Sequence, residues 1–330
     1  MKALVYTGPE QLVLRDEPDP QANEDIVVRV EACGICGSDM HGYLGHDSRR
    51  PAPLILGHEA AGIATSGIYE GKRVAINPLV TCGHCDDCLG GRSNVCRERQ
   101  IISMPPRPGA FAELVRIPER NVALVPDGMA PEMAALTEPL ATSYHAVNLG
   151  LNALVRPLPA ARVAIIGGGA IGLGAARILA SRGGRDILLA ETNALRRARL
   201  DGESSLTPYD PAAETRPADS SIDLVLDGYG GKGSRIEASR LVAPGGVIVH
   251  IGLAGGEGGL DTRKLTLQEV TFIGTYTYTM VEFRETLAGL AAGIFGPLDW
   301  IEQRPLAEGV RAFADLKAGG VAAAKIVLRM

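Results

Sequence analysis

The 330-residue chain is long enough for two domains with separate cores. Apolar residues make up 46% of it and charged residues 22%, which excludes a disordered chain, and a formal net charge of -5 leaves no basic footprint for nucleic acid. No apolar run approaches the ~20 residues of a membrane span. The N-terminal MKALVYTGPEQLVL reads as strand, turn, strand rather than a targeting segment, so the expected protein is cytoplasmic, without a membrane or nucleic-acid partner.

Residues 1–143 are rich in short strands and turns. DIVVRVEACGI (25–35) is an apolar run with partial alternation, and its Cys33 reads as a buried thiol. Beyond it come Cys36, Ser38, Asp39 and His41, then Gly57-His58-Glu59. A cysteine, a histidine and nearby carboxylates suit a zinc site that keeps a position open. Glu59, and Glu138 in Thr-Glu-Pro-Leu, are its carboxylate candidates; one would bind metal and the other hold a metal-bound water, and the sequence does not choose. Asp39 is expected to accept from the His58 ring and fix its tautomer. Ser38 and His41 are placed to carry a proton from a metal-polarised alcohol to the surface, whereas His46 reads as a surface histidine.

GKRVAINPL (71–79) is a further strand, and FAELVRIPERNVALVP (111–126) holds two more, completing the pattern of a mainly-β domain. Between them Cys82, Cys85, Cys88 and Cys96 form C-x2-C-x2-C-x7-C. Four thiolates this close repel one another unless a soft cation holds them, which predicts a closed structural zinc site rather than disulfides or an iron–sulfur cluster. His84 is surplus to the thiolates and is expected to face solvent.

PEMAALTEPLATSYHAVN (131–148) changes to helical periodicity and bridges to a second domain. There RVAIIG is a buried strand, AIGLGAARILASRG a helix and DILLAET a second strand; SIDLVLDGYG and GGVIVHIGL follow, with a short helix over 235–242 between them. This alternation predicts a doubly wound parallel sheet, with 202–220 as a loop or weak helix. Gly167-Gly168-Gly169-Ala170-Ile171-Gly172 satisfies G-x-G-x-x-G between a strand and a helix, the context that makes it a dinucleotide loop. Gly167 makes the turn, Gly169 admits the pyrophosphate, Gly172 permits close packing, and the helix start at Ala170 and Ile171 faces the phosphates. Glu191 stands where a carboxylate accepts from the adenosine ribose and repels a 2′-phosphate, so NAD is favoured over NADP; Arg196, Arg197 and Arg199 follow and weaken that preference, Arg196 being the one placed at the cofactor.

EVTFIGTYTYT (269–279) ends the α/β run. FRETLAGLAAGIF and LAEGVRAFADLKAG read as helices, and AAKIVLRM as a terminal strand that needs a sheet to join. The tail is therefore expected to return to the first domain, giving a catalytic domain over 1–143 with a zinc lobe at about 80–100, a nucleotide domain over 144–275 and a return over 276–330.

GICGSDMH (34–41), GHEAAG (57–62), CGHCDDCLGGRSNVC (82–96), TEPLA (137–141), GGGAIG (167–172) and GTYTYT (274–279) together resemble the zinc-dependent medium-chain dehydrogenase/reductase family, and are most similar to its polyol (sorbitol-type) and threonine branches. The resemblance implies an α/β protein: a Rossmann domain and a discontinuous, mainly-β GroES-like catalytic domain. It implies two zinc ions per chain, one structural and one catalytic on Cys36, His58 and Glu59, with Glu138 nearby as water-holder or alternate ligand. It also implies Ser38 and His41 as proton relay, Gly167, Gly169, Gly172 and Glu191 as coenzyme residues, and hydride transfer between a secondary alcohol and NAD(P). No cysteine follows Cys96, which points to the carboxylate-bearing polyol type. The chain departs from the family in a short stretch between Gly62 and Val74 and in the region from Glu191 to about Asp223.

Ser38, His41, Glu138 and Tyr276 suit a polyol or sugar-derived alcohol. A threonine-type amino alcohol is the enzymatic alternative and needs a carboxylate-binding cation that the sequence does not reveal. From another class, a zinc-stabilised NAD(P)-binding sensor or scaffold without turnover is the alternative. VTFIG is compatible with an edge strand that pairs between subunits, giving a homodimer or homotetramer.

Overall fold

Strand Ile26–Gly34 organises the mainly-β unit in the computed structural model, which describes residues 1–200, 203, 205–213 and 215–330. It pairs antiparallel with Glu59–Ala64, Leu114–Ile117 and the terminal strand Lys325–Arg329. The full path of this sheet runs Val122–Leu124, Arg73–Ile76, Glu59–Ala64, Ile26–Gly34, Lys325–Arg329, Ile301–Pro305. Its register sets Glu59 opposite Gly34, and Gly34 opposite Val327. A smaller sheet orders Gln11–Asp16, Lys2–Gly8 and Leu54–Ile55. The core of the unit buries Leu4, Leu56, Ile76, Phe111, Phe313 and Ile326. The Phe313 ring, on helix Gly309–Lys317, meets Phe111 edge-on at 5.8 Å and Tyr43 at 5.2 Å, so a tail helix braces the start of the chain.

Contacts group Met1–Ala141, Tyr278–Gly293 and Pro297–Met330 as one unit, and Thr142–Thr277 with Ile294–Gly296 as the other. Ile301–Pro305 was not anticipated: an edge strand reading IEQRP carries no apolar run. The helical periodicity expected over 131–148 resolves into two helices, Pro131–Ala135 and Thr137–Ala153. Pro139 lacks an N–H and fits the first turn of a new helix, while Thr137 Oγ1 donates to the Ala134 carbonyl at 2.7 Å.

The second unit is the α/β half. Its six parallel strands, taken in chain order, are Arg162–Ile166, Asp186–Ala190, Thr207–Tyr209, Ile222–Asp227, Val242–His250 and Thr271–Gly274, and they lie in the order third, second, first, fourth, fifth, sixth. The reversal falls between Arg162–Ile166 and Ile222–Asp227, the position at which doubly wound sheets open a crevice for dinucleotides. Arg162–Ile166 is buried along almost its whole length, as a central parallel strand covered on both faces must be. The segment 202–220 supplies a strand, Thr207–Tyr209, instead of a loop or weak helix; positions 202, 204 and 214 lie outside the described residues. Three residues with a central proline carry no periodicity, and an edge position tolerates the missing N–H.

Candidate active site

Cys36 caps the short helix Gly37–Tyr43, which carries Ser38, Asp39 and His41. Asp39 is fully buried and accepts from the Cys36 N–H at 3.0 Å and the Gly57 N–H at 3.1 Å. Its Oδ1 also lies 3.3 Å from His58 Nδ1, so one carboxylate ties the Cys36 and His58 segments together. Gly57 adopts φ +91, and a Cβ there would stand 2.7 Å from the Phe111 ring; only glycine makes the turn that delivers His58 and starts strand Glu59–Ala64.

The donor atoms of Cys36, His58 and Glu59 lie within 4.8 Å of one another; Glu138 is not in that trio. Glu59 is fully buried. Its Oε1 accepts from Lys325 Nζ at 2.6 Å, while Oε2 is buried with no hydrogen-bond partner among the described residues. A partnerless carboxylate oxygen beside a thiol and an imidazole is the donor set a zinc ion satisfies. Glu138, in the first turn of Thr137–Ala153, accepts from the Tyr278 hydroxyl at 2.9 Å. Burial pushes its pKa up to about 7; His58, Tyr278 and Lys325 oppose the rise and Glu59 adds to it.

Ser38 Oγ lies 3.4 Å from His58 Nε2. His41 is half-buried, and its pKa is lowered by burial and by His46 and Arg50, against an opposing pull from Asp47. His46 is exposed. Sequence reading missed Lys325, Tyr278 and Ser103, whose Oγ lies 3.4 Å from His58 Nδ1. The tyrosine that bonds Glu138 is Tyr278. The one available signal was Lys325, a cation inside the otherwise apolar strand KIVLR.

Cys82, Cys85, Cys88 and Cys96 gather at a short helix, Asp86–Leu89, and a 3-10 turn, Ser93–Val95, and none forms a disulfide. Their sulfurs stand 3.8 Å (Cys82–Cys88), 3.9 Å (Cys85–Cys96) and 3.6 Å (Cys82–Cys96) apart. Four sulfurs around zinc at ~2.3 Å would be spaced by about 3.8 Å, so the cluster fits the ion. The backbone N–H of His84 draws Cys82 down to about 6, whereas burial pushes Cys88 up to about 12. The His84 side chain is exposed, as expected.

In the α/β unit Gly167 takes φ +103, and helix Ala170–Ser181 starts behind Gly169 as its cap. A Cβ on Gly172 would fall 1.9 Å from the Gly167 carbonyl, whereas nothing lies within 4 Å of one on Gly169. The loop is thus closed beneath the helix and open where a pyrophosphate approaches. Ile171 lies in the first turn, its carbonyl accepting from Ser143 Oγ at 2.8 Å. Glu191 is buried and accepts from the Gly168 N–H at 3.1 Å and the Asn193 N–H at 2.8 Å. Arg196 Nη1 lies 3.1 Å from its Oε2, so that arginine is paired with the carboxylate, and Arg197 is drawn to Asp210.

Residues 22–127 match the alcohol dehydrogenase GroES-like domain family. L-galactonate-5-dehydrogenase of Escherichia coli (strain K12) is 32% identical over 308 residues, covering 89% of this chain and 88% of that one. The chain belongs to the zinc-type medium-chain dehydrogenase/reductase family. Sorbitol dehydrogenase of Bacillus subtilis (strain 168) is 31% identical over 312 residues, 89% of this chain and 87% of its own. Among solved structures, an alcohol dehydrogenase from Thermus sp. ATN1 superposes with a TM-score of 0.86 at 26% identity, covering 100% of this chain and 99% of that one. Membership makes the chain an oxidoreductase of the NAD(P)-linked alcohol dehydrogenase type, with the GroES-like and Rossmann halves of the family. Among the described residues no helix is long and apolar enough to cross a membrane.

Proposed function

We propose that the chain oxidises a secondary alcohol of a polyol or sugar-derived substrate, with NAD favoured over NADP as hydride acceptor. The observation that carries this reading is the trio of half-buried Cys36 and buried His58 and Glu59, in which Glu59 Oε2 has no partner among the described residues. Those three residues would hold catalytic zinc, and Cys82, Cys85, Cys88 and Cys96 the structural ion. Bound zinc supplies Lewis-acid polarisation of the alcohol oxygen, and bound NAD accepts the hydride.

The chain's own residues do the rest. Asp39 fixes the His58 ring, and Lys325 holds one oxygen of Glu59 so that the other is presented to the metal. Glu138, anchored by Tyr278, offers a carboxylate poised to take or return a proton. Ser38 receives the substrate proton and His41 passes it to solvent. On the nucleotide side, Glu191 is the acceptor for a ribose hydroxyl and opposes a 2′-phosphate; its pairing with Arg196 tempers that selectivity. Names of relatives support the substrate class, L-galactonate-5-dehydrogenase and sorbitol dehydrogenase, whereas an L-threonine 3-dehydrogenase at 28% identity keeps the amino-alcohol alternative in the test.

Zinc content measured together with NAD- and NADP-linked turnover tests the reading. The panel is polyols, sugar acids, sugar phosphates, simple secondary alcohols and threonine. About two zinc ions per chain and faster NAD reduction on polyols or sugar derivatives is the expected result. Turnover confined to threonine moves the chain to the amino-alcohol branch. Dinucleotide binding without turnover after zinc reconstitution overturns the enzyme reading in favour of a sensor or scaffold.

A further inference from the structure

Arg50 lies beside the proton-carrying helix, yet nothing in the metal or nucleotide chemistry uses it. Its side chain is 1% exposed. It runs alongside helix Gly37–Tyr43 in a slot opened by Gly42, where a Cβ would stand 2.8 Å from Arg50 Cδ. Its Nη1 is held by Asp47, its Nη2 donates to Ser38 Oγ at 3.4 Å, and its Nε is buried with no partner among the described residues. A buried guanidinium needs a counterion and a use for its donors, since stranding it is costly. Asp47 is the counterion. Burial and that pairing keep Arg50 from serving as an open clamp for a substrate anion, so what remains is its action on the relay helix.

We infer that Arg50 is a positioning residue of the proton relay: its guanidinium, anchored by Asp47, orients the Ser38 hydroxyl and sets the charge around His41. The inference rests on the dehydrogenase reading above. By donating to Ser38 Oγ, Arg50 occupies one lone pair of that oxygen. The other lone pair is left for the substrate's O–H proton, and the hydroxyl hydrogen is turned away, toward the onward carrier. No net charge then accumulates on Ser38: one proton arrives as one leaves, and His41 hands it to solvent. The charged and titratable groups around His41 are His46, whose ring centroid is 6.3 Å away, Asp47 and Arg50. Burial disfavours the imidazolium most, His46 and Arg50 add to that and Asp47 opposes it, so His41 rests neutral and ready to accept.

The test uses the zinc-loaded full chain as wild type, Arg50→Gln, Arg50→Lys and Asp47→Asn. His41 is titrated by NMR of labelled histidine, its signal assigned with His41→Gln, and kcat and KM for alcohol oxidation are followed against pH. In Arg50→Gln the His41 midpoint rises, and kcat falls about tenfold while KM stays within about threefold. Arg50→Lys restores the midpoint and part of the rate. In Asp47→Asn the midpoint moves the other way, downward, which keeps the inference testable if Arg50→Gln fails to fold. Unchanged midpoints and pH profiles, with only stability or zinc content reduced, overturn it and leave Arg50 a buried ion pair. A wild type that turns over no alcohol refutes the enzyme reading instead, and the NMR titration still decides the role of Arg50 at His41.

Discussion

Lys325 is buried beside the candidate metal site and is paired with one member of its donor trio. It is 6% exposed, donates to Glu59 Oε1 at 2.6 Å and to the Ile35 carbonyl at 2.9 Å, and neutralises a carboxylate that is fully buried. Removing one partner of such a pair strands the other charge. Lys325→Met is therefore expected to destabilise the protein by about 3–5 kcal/mol in urea unfolding, with zinc affinity altered because Glu59 loses its anchor. A variant as stable as wild type would show that Glu59 finds its compensation elsewhere. Asp47 makes a pH prediction at the same scale. Burial would raise its pKa, but bonds from the Arg49 side chain and backbone draw it down from 3.8 to about 2. A folded-state pKa below the unfolded one means that its stabilisation is present above about 3.8 and is lost as pH falls through about 2. Asp47→Asn should flatten the acid limb of the stability curve over that window. A limb unchanged in Asp47→Asn would place the titration on other carboxylates.

Two elements were legible because their chemistry is contiguous. The cysteine lobe carries all four thiols of the candidate zinc cluster within Cys82–Cys96, and the glycine loop spans Gly167–Gly172. In the first, Cys88→Ser should lower zinc content from about two to about one per chain, because a closed site cannot keep its ion with an open corner. Retention of both ions would mean that the exposed His84 or Glu98 replaces the lost thiolate. In the second, Gly172→Val is expected to abolish NADH binding by fluorescence while leaving zinc content unchanged, since a side chain there collides with the Gly167 carbonyl. Binding that survived would mean that the helix can move off the strand. The helix over 131–148 and the strand Thr207–Tyr209 were less legible. Both involve proline, Pro139 in the first turn of the new helix Thr137–Ala153 and Pro208 in a three-residue edge strand, and neither leaves a periodic signal.

The whole molecule ends its six-stranded sheet on Thr271–Gly274, an edge strand that carries Phe272 at 38% exposure. An apolar edge of this kind is a template for pairing with a second copy. A homodimer or homotetramer is expected by light scattering, and Phe272→Glu should shift the population toward smaller species; a wild-type monomer would remove the edge from consideration. The sequence by itself determined the α/β class, both cysteine-bearing segments, the glycine loop and Glu191, because each depends on residue types at short, fixed spacing. Only the tertiary structure decided which carboxylate joins Cys36 and His58, that Lys325 and Tyr278 hold the two glutamates, and that Arg50 reaches Ser38. The first of these pairs spans 266 positions and the second 140. Partners that far apart meet only through sheet register and core packing, and no periodicity along the chain encodes them.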